Sequence, residues 1–272
     1  MQTYGCKRFV GKKVVVTGAA QGIGLAAARR MGHEGARVAL VDRAEGLAQQ
    51  AAEGLRSEGI EAAALCGDLS LHSDTKKVMA AANEALGGID TLINNVGGTI
   101  WKKPFWRYED EEIRAELDRS LWPTIWCCRS VIPYMQDRGG AIVNVGSGAY
   151  LGVAYAVPYS AAKGGVLSLT WALASELADF KIRVNCVAPG NTAVKDRGAP
   201  RLDRALSAEE EIWKGQYYEQ VRSMSLISEA APVDAPAAAI AFLASDEASY
   251  ITGEIIDLGK RGMPISRMGP LG

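Results

Sequence analysis

Seven short runs at residues 13–17, 37–42, 61–66, 91–94, 141–145, 183–187 and 254–257 alternate with longer helical stretches along the chain. Most are apolar throughout rather than at every second position, so they predict strands covered on both faces. Crossover helices between successive strands satisfy that demand and make the sheet parallel. The expected fold is α/β, a doubly wound parallel sheet with helices on both faces. No linker, composition shift or internal repeat divides the 272 residues, which predicts one domain over 1–272.

Two segments interrupt the rhythm. Residues 191–224 form a polar insertion that carries Lys195, Arg197, Arg201 and Arg204 before a predicted helix over 209–224, and is a candidate lid. The tail 260–272 contains Gly262, Pro264, Gly269 and Pro270, which predicts an extended segment, either disordered or docked on a neighbouring subunit.

Composition narrows the function class. Thirty Lys plus Arg against 31 Asp plus Glu leave a net charge of −1, so no overall basic field draws the chain to nucleic acid or a membrane surface. Residues 1–10 lack the apolar core of a signal peptide, and no apolar run approaches a membrane span, which makes the cytoplasm the expected location. Cys6, Cys66, Cys127, Cys128 and Cys186 are odd in number and show no C-x-x-C pair, and read as reduced thiols, mostly inside. His33 and His72 fall on predicted helices and form no ligand-spaced cluster, so no metal is expected.

The first strand runs directly into Thr17-Gly18-Ala-Ala-Gln21-Gly22-Ile23-Gly24 and then a helix. Glycines there let the backbone turn tightly and approach a pyrophosphate at the helix N-terminus, where free amides and the helix dipole favour anions. Placed at the first strand of a parallel sheet, this junction marks a Rossmann-type dinucleotide site. Asp42 ends the second strand about twenty residues further on, where a carboxylate accepts hydrogen bonds from the adenosine ribose hydroxyls; this favours NAD over NADP, although adjacent Arg43 would tolerate a phosphate. Asp68, followed by Leu69 after the third strand, is placed either to touch the adenine or to cap the next helix.

Tyr159-Ser-Ala-Ala-Lys163 puts a phenol and an ammonium one helical turn apart on the same face. A phenol titrates near pH ~10, and a fixed positive charge beside it favours the phenolate, so the pair suits proton transfer at an alcohol or carbonyl. Alone, such spacing is more often a helix-surface pair; its surroundings carry the reading. The same helix is apolar on most of its circumference, at Ala161, Ala162, Val166, Leu167, Trp171 and Leu173, and should be buried nearly all round.

The glycine loop, Asn94-Asn95-Val96-Gly97, Asn144-Val-Gly-Ser147, Tyr159-x-x-x-Lys163 and Pro189-Gly190 occur in an order that resembles the short-chain dehydrogenases/reductases over almost the whole chain. The resemblance implies that Asn94 and Gly97 shape the cofactor pocket, with Pro189, Gly190 and Thr192 at its other wall. It also implies that Ser147 hydrogen-bonds the reacting oxygen, that Tyr159 exchanges its proton, and that Lys163 holds the nicotinamide ribose. A homotetramer packed through the Tyr159 helix and the helix over 126–135 is implied as well. Two positions depart from the pattern. Ser120 stands where the family often has an asparagine, and Gly146 replaces the first serine of the usual pair, which should loosen the local backbone.

Residues 94–105 and 120–128 are further similar to the cis-dihydrodiol dehydrogenases of aromatic-carboxylate breakdown, such as the benzoate and toluate diol dehydrogenases, and Ser120 fits that branch. The likeness implies NAD-dependent oxidation of a cis-dihydroxycyclohexadiene carboxylate to a catechol. A ring carboxylate needs a cation, for which Lys102, Lys103, Arg197 and Arg201 are available; Trp101, Trp106 and Tyr155 are candidates to pack on the ring. A carbonyl reductase or alcohol dehydrogenase for another cyclic substrate, and an NAD-binding regulatory protein without turnover, are the other readings. The acidic run Glu109-Asp-Glu-Glu112 reads as a solvated helix cap.

Overall fold

The computed structural model describes residues 6–194, 198, 201–202, 204–227 and 229–259. Lys195, Arg197 and the predicted tail lie outside the described residues. Strands and helices alternate from the start: β1 (Lys13–Thr17), α1 (Gly22–His33), β2 (Arg37–Asp42), α2 (Glu45–Ser57), β3 (Ala62–Cys66), α3 (His72–Leu86) and β4 (Thr91–Asn94). The second half continues with α4 (Asp110–Ser120), α5 (Trp122–Met135), β5 (Gly140–Val145), α6 (Val157–Glu176), β6 (Ile182–Pro189), β7 (Thr192–Ala193), α7 (Ala208–Ser223), β8 (Ala231–Pro232), α8 (Asp234–Ala244) and β9 (Ile255–Leu258).

Seven strands form one parallel sheet in the order β3-β2-β1-β4-β5-β6-β9. The order reverses between β1 and β4, so crossovers leave the sheet in opposite directions there and open a crevice at the strands' carboxyl ends. Strand β1 shows why these runs must be apolar throughout. Its Val14 and Val16 join Met31, Leu40 and Ile240 in the core beneath α1 and α8. Val15 points the other way and joins Val41, Met79, Leu92 and Val131 beneath α3 and α5. Each such side chain, fully buried, contributes ~1.5–3 kcal/mol of transfer free energy.

Strand β6 runs two residues beyond the expected end, because β9 pairs alongside it as far as Pro189 opposite Leu258. Helix α5 begins at Trp122, with Pro123 in the first turn, where a missing amide hydrogen costs nothing. The expectation that α6 is buried all round is not met within one chain. Tyr159, Ala162, Lys163, Val166 and Leu167 face inward, whereas Val157, Ala161 and Trp171 are exposed. Three cysteines are buried and two, Cys6 and Cys66, are exposed. Among the described residues no helix is long and apolar enough to cross a membrane, and no group of three or more His, Cys, Asp or Glu could hold a metal ion.

Candidate active site

A cavity of about 500 Å³ follows the carboxyl edge of the sheet from the end of β2 to the α7 helix. Gly18, Gln21, Gly22 and Ile23 line it at the switch point. Gly18 and Gly22 have φ of 60° and 63°, the left-handed region that only glycine enters without strain, so the loop's sequence is set by its backbone path. Gly24 is not on the cavity wall. A Cβ there would stand 2.5 Å from both the Asn95 side-chain nitrogen and the Gly18 carbonyl, so its glycine lets the helix start press against the loop.

The neighbouring strand ends complete this half. Asp42 accepts the Ala20 and Ala44 backbone N–H groups at 3.2 and 3.1 Å, which holds its carboxylate at the cavity beside Arg43. Asp68 lines the same wall with Leu69 and accepts both the backbone N–H and the hydroxyl of Ser70, at 2.9 and 2.7 Å, so it does local turn work just ahead of α3 while facing the cavity. Pro189, Gly190 and Thr192 form the opposite wall. Asn94 is displaced from its expected place. Its amide nitrogen donates to Asn144 at 3.0 Å and lies 3.2 Å from the Cys128 sulfur, inside the sheet. Asn95 lines the cavity instead, and its side chain donates to the carbonyls of Thr17 and Gly18 at 3.1 and 2.9 Å. Strand alternation explains the exchange, since successive residues point to opposite sides.

At the centre, α6 carries Tyr159 and Lys163 into the cavity, with Lys163 Nζ 6.0 Å from the Tyr159 ring centroid. Lys163 is buried and donates to the Val145 carbonyl at 2.7 Å. Burial pulls its ammonium down to about 8, with the thiol side of Cys186 opposing and Arg201 adding to the fall. Ser147 stands on the same wall, its hydroxyl accepting the Ala149 N–H at 3.2 Å. Ser120 is fully buried at the end of α4 and accepts the Gly98 N–H at 3.3 Å; it lies behind the wall, close to Gly97 and Lys163. Gly97 itself has φ of 147°, and a Cβ on it would lie 3.0 Å from Lys163 Nζ. The backbone at Gly146 is not loosened as expected. Its N–H donates to the Val187 carbonyl at 2.8 Å, and Cys186 Sγ and Leu167 occupy the space a side chain would need, each 2.9 Å from where a Cβ would stand.

The third part of the cavity is built by side chains. Glu116, buried on α4 one turn before Ser120, accepts the N–H groups of Ile100 and Trp101 at 2.7 and 3.0 Å and the Thr99 hydroxyl at 3.2 Å. Burial raises its carboxyl above the ordinary range, and the three hydrogen bonds oppose that rise. Tyr108 adds a second clamp, its hydroxyl 3.0 and 3.1 Å from the carbonyls of Trp101 and Tyr155. Helix α7 packs Tyr217 and Val221 against Ala149, Val153, Ala156 and Tyr159, so the helix expected in the insertion forms and packs beside the reaction centre. A capping box starts it: Ser207 and Glu210 bind each other's backbone N–H at 3.2 and 2.8 Å.

Several expected ring contacts are placed elsewhere. Lys103 is buried against Glu112 and 5.3 Å from the Tyr108 ring, so its charge serves the loop; the acidic run does cap α4, with Glu112 accepting the Glu109 N–H at 2.9 Å in a capping box, but Glu112 is also paired with Lys103. Trp101 borders a separate small recess with Lys103 and Leu206, and Trp106 is 82% exposed. Tyr155, at φ 67°, packs on the cluster around Tyr217 and contributes its carbonyl to the loop clamp. The cations on the cavity wall at this end are Lys102, Arg119 and Arg201. Glu116 and Asn95 were not singled out from the sequence. For Glu116 there was a signal, since it lies four residues before Ser120 on the same helix face.

The family model for short chain dehydrogenase matches residues 12–203. The chain is 50% identical over 248 residues to a 1,6-dihydroxycyclohexa-2,4-diene-1-carboxylate dehydrogenase of Pseudomonas putida, covering 91% of each chain. It is 45% identical over 254 residues to the enzyme of the same name from Acinetobacter baylyi, covering 93% of this chain and 97% of the relative. Among solved structures, a short chain dehydrogenase from Mycobacterium smegmatis superposes with a TM-score of 0.77 at 30% identity, covering 93% of both chains. With the glycine junction, the switch-point cavity and the Tyr159–Lys163 pair in place, these matches settle that the chain belongs to the short chain dehydrogenase family and is an oxidoreductase acting on a CH–OH donor.

Proposed function

We propose that the protein, acting as one domain, oxidises a cis-dihydroxycyclohexadiene carboxylate to a catechol with NAD. The observation that carries this reading is the cavity itself, in which the Tyr159, Lys163 and Ser147 centre adjoins a wall bearing Arg201 and Lys102. The relatives named as diol carboxylate dehydrogenases support the substrate class.

The residues present fit the cofactor. The left-handed glycines and free start of α1 suit a pyrophosphate, and Asp42 suits ribose hydroxyls while repelling a 2′-phosphate. NAD, when bound, accepts the hydride released from the carbinol carbon. Tyr159 takes the hydroxyl proton of that same carbon, so the C–H and O–H bonds are lost together and a C=O bond forms. Lys163, as an ammonium, favours the phenolate that Tyr159 needs for this. Ser147 donates to the substrate oxygen as negative charge develops on it. Ser120 keeps Gly98, and through it the Gly97 wall against Lys163, in register. When the carboxyl group sits on the other diol carbon, the ketone is a β-keto acid; cleavage of the ring–carboxyl bond releases carbon dioxide and leaves the electron pair to complete the aromatic ring.

The exposed Val157, Ala161 and Trp171 on α6 support a homotetramer that covers this face; sedimentation of the purified protein as a monomer would remove that part of the reading. Turnover is tested by NADH absorbance with a panel of cis-dihydrodiols with and without a ring carboxylate. Oxidation of the carboxylated members is expected, and no turnover on any of them contradicts the assignment.

A further inference from the structure

Resting on that reading, we infer that Arg201 is the receptor for the substrate's ring carboxylate and the residue that sets preference for acids over neutral diols. In the proposed substrate the carboxyl group is borne by the carbon next to the one that loses hydride, so its partner must lie beside the reaction centre. Two adjacent glycines define that place. Gly97 and Gly98 have φ of 147° and 118°; a side chain on the first would meet Lys163 Nζ, and one on the second would run into the Arg201 guanidinium. The two cations therefore sit on neighbouring residues of one wall, and Arg201 is close enough to bear on the charge of Lys163.

The guanidinium is held ready. Its Nη1 donates to the Thr99 carbonyl at 3.0 Å, on the loop that Glu116 fixes from beneath. Its Nε is buried without a hydrogen-bond acceptor among the described residues. A planar guanidinium anchored at one nitrogen keeps its other edge for a carboxylate, and a fork fixed before binding loses little freedom on engaging one. Arg119, on α4, and Lys102 also line this part of the cavity, and Arg201 is the cation set against Gly98, next to the Gly97 wall that meets Lys163. Lys102 Nζ lies 5.5 and 5.6 Å from the ring centres of Tyr217 and Tyr218 and so is spent on the α7 helix. An acid on Arg201 also screens the repulsion between Arg201 and Lys163, which a neutral diol cannot do.

Two measurements test this. With a diol carboxylate and its methyl ester as substrates, Arg201→Met should lower the acid-to-ester ratio of kcat/KM by about 10- to 100-fold, chiefly through KM of the acid. Arg201→Lys should recover part of that ratio. An unaltered ratio in Arg201→Met, with an unchanged melting temperature, overturns the inference while leaving the proposed reaction standing. Independently of turnover, calorimetry with benzoate and benzyl alcohol on the NADH complex should show benzoate bound more tightly by the wild type and lost selectively in Arg201→Met. Benzoate held no better than benzyl alcohol, or held equally by the variant, overturns it as well, even if no diol is turned over.

Discussion

The ribose end of the cavity is built from backbone and the ring end from side chains. At the first, Gly18, Gly22 and the ends of β1 and β2 set the shape, and sheet register with backbone N–H groups holds the Asp42 carboxylate in place. At the second, residues 97–103 have no strand to hold them and hang from one buried carboxylate, one serine hydroxyl, one phenol and one guanidinium. A wall made by backbone geometry admits one ligand shape. A wall hung on a few side chains can be re-cut by single substitutions, which is where substrate choice belongs.

Between the two ends lies Lys163, and the largest stability effect is expected there. Its ammonium sits at about 8 in the fold against an ordinary 10.5, so between these values the unfolded chain binds more protons and stability rises with pH. Lys163→Met lacks this dependence. Its stability relative to the wild type should be greatest below pH ~8 and fall by up to ~3 kcal/mol as pH approaches the ordinary lysine value, read by urea unfolding. A difference independent of pH contradicts the buried ammonium.

At the ribose end, Gly24→Ala should cost about 1–3 kcal/mol and weaken NAD, because its new methyl meets Asn95 and the Gly18 carbonyl at 2.5 Å. Thermal melting and NAD titration check both. At the ring end, Glu116→Ala should cost about 1–3 kcal/mol by leaving buried N–H groups unpaired, whereas Glu116→Gln keeps an accepting oxygen and should retain most stability. Equal losses for Ala and Gln would mean that the charge, not the clamp, matters. The smallest effect is expected from Asp42→Ala, which should shift the NAD-to-NADP ratio of kcat/KM by roughly tenfold, about 1.4 kcal/mol, toward NADP. Equal losses for both cofactors would remove its ribose role.

The same division governs how far the amino-acid sequence could be read. Apolar runs, a glycine junction and a one-turn Tyr–Lys spacing are local signals, and they predicted the sheet, the dinucleotide-type junction and the Tyr159–Lys163 pair. Asn94 and Asn95 are both visible in the sequence, but which one faces the loop depends on where β4 ends. Lys103 pairs with Glu112 across a loop that has no periodicity, so spacing carried no hint that its charge was already engaged. Gly146 looks like a loss until Cys186 and Leu167 are seen filling the space. Arg201 was one of four candidate cations, and only the fold brings it to Thr99, across 102 residues of chain.

The central claim is that Tyr159 is the base for oxidation of a diol carboxylate. The most direct measurement is the rate of NADH formation from NAD and a cis-dihydroxycyclohexadiene carboxylate by the wild type and Tyr159→Phe, with NAD binding measured on both. The account predicts turnover in the wild type, a ~10³-fold lower kcat in the variant, and NAD affinity within a few-fold. Near-normal turnover by Tyr159→Phe would contradict it.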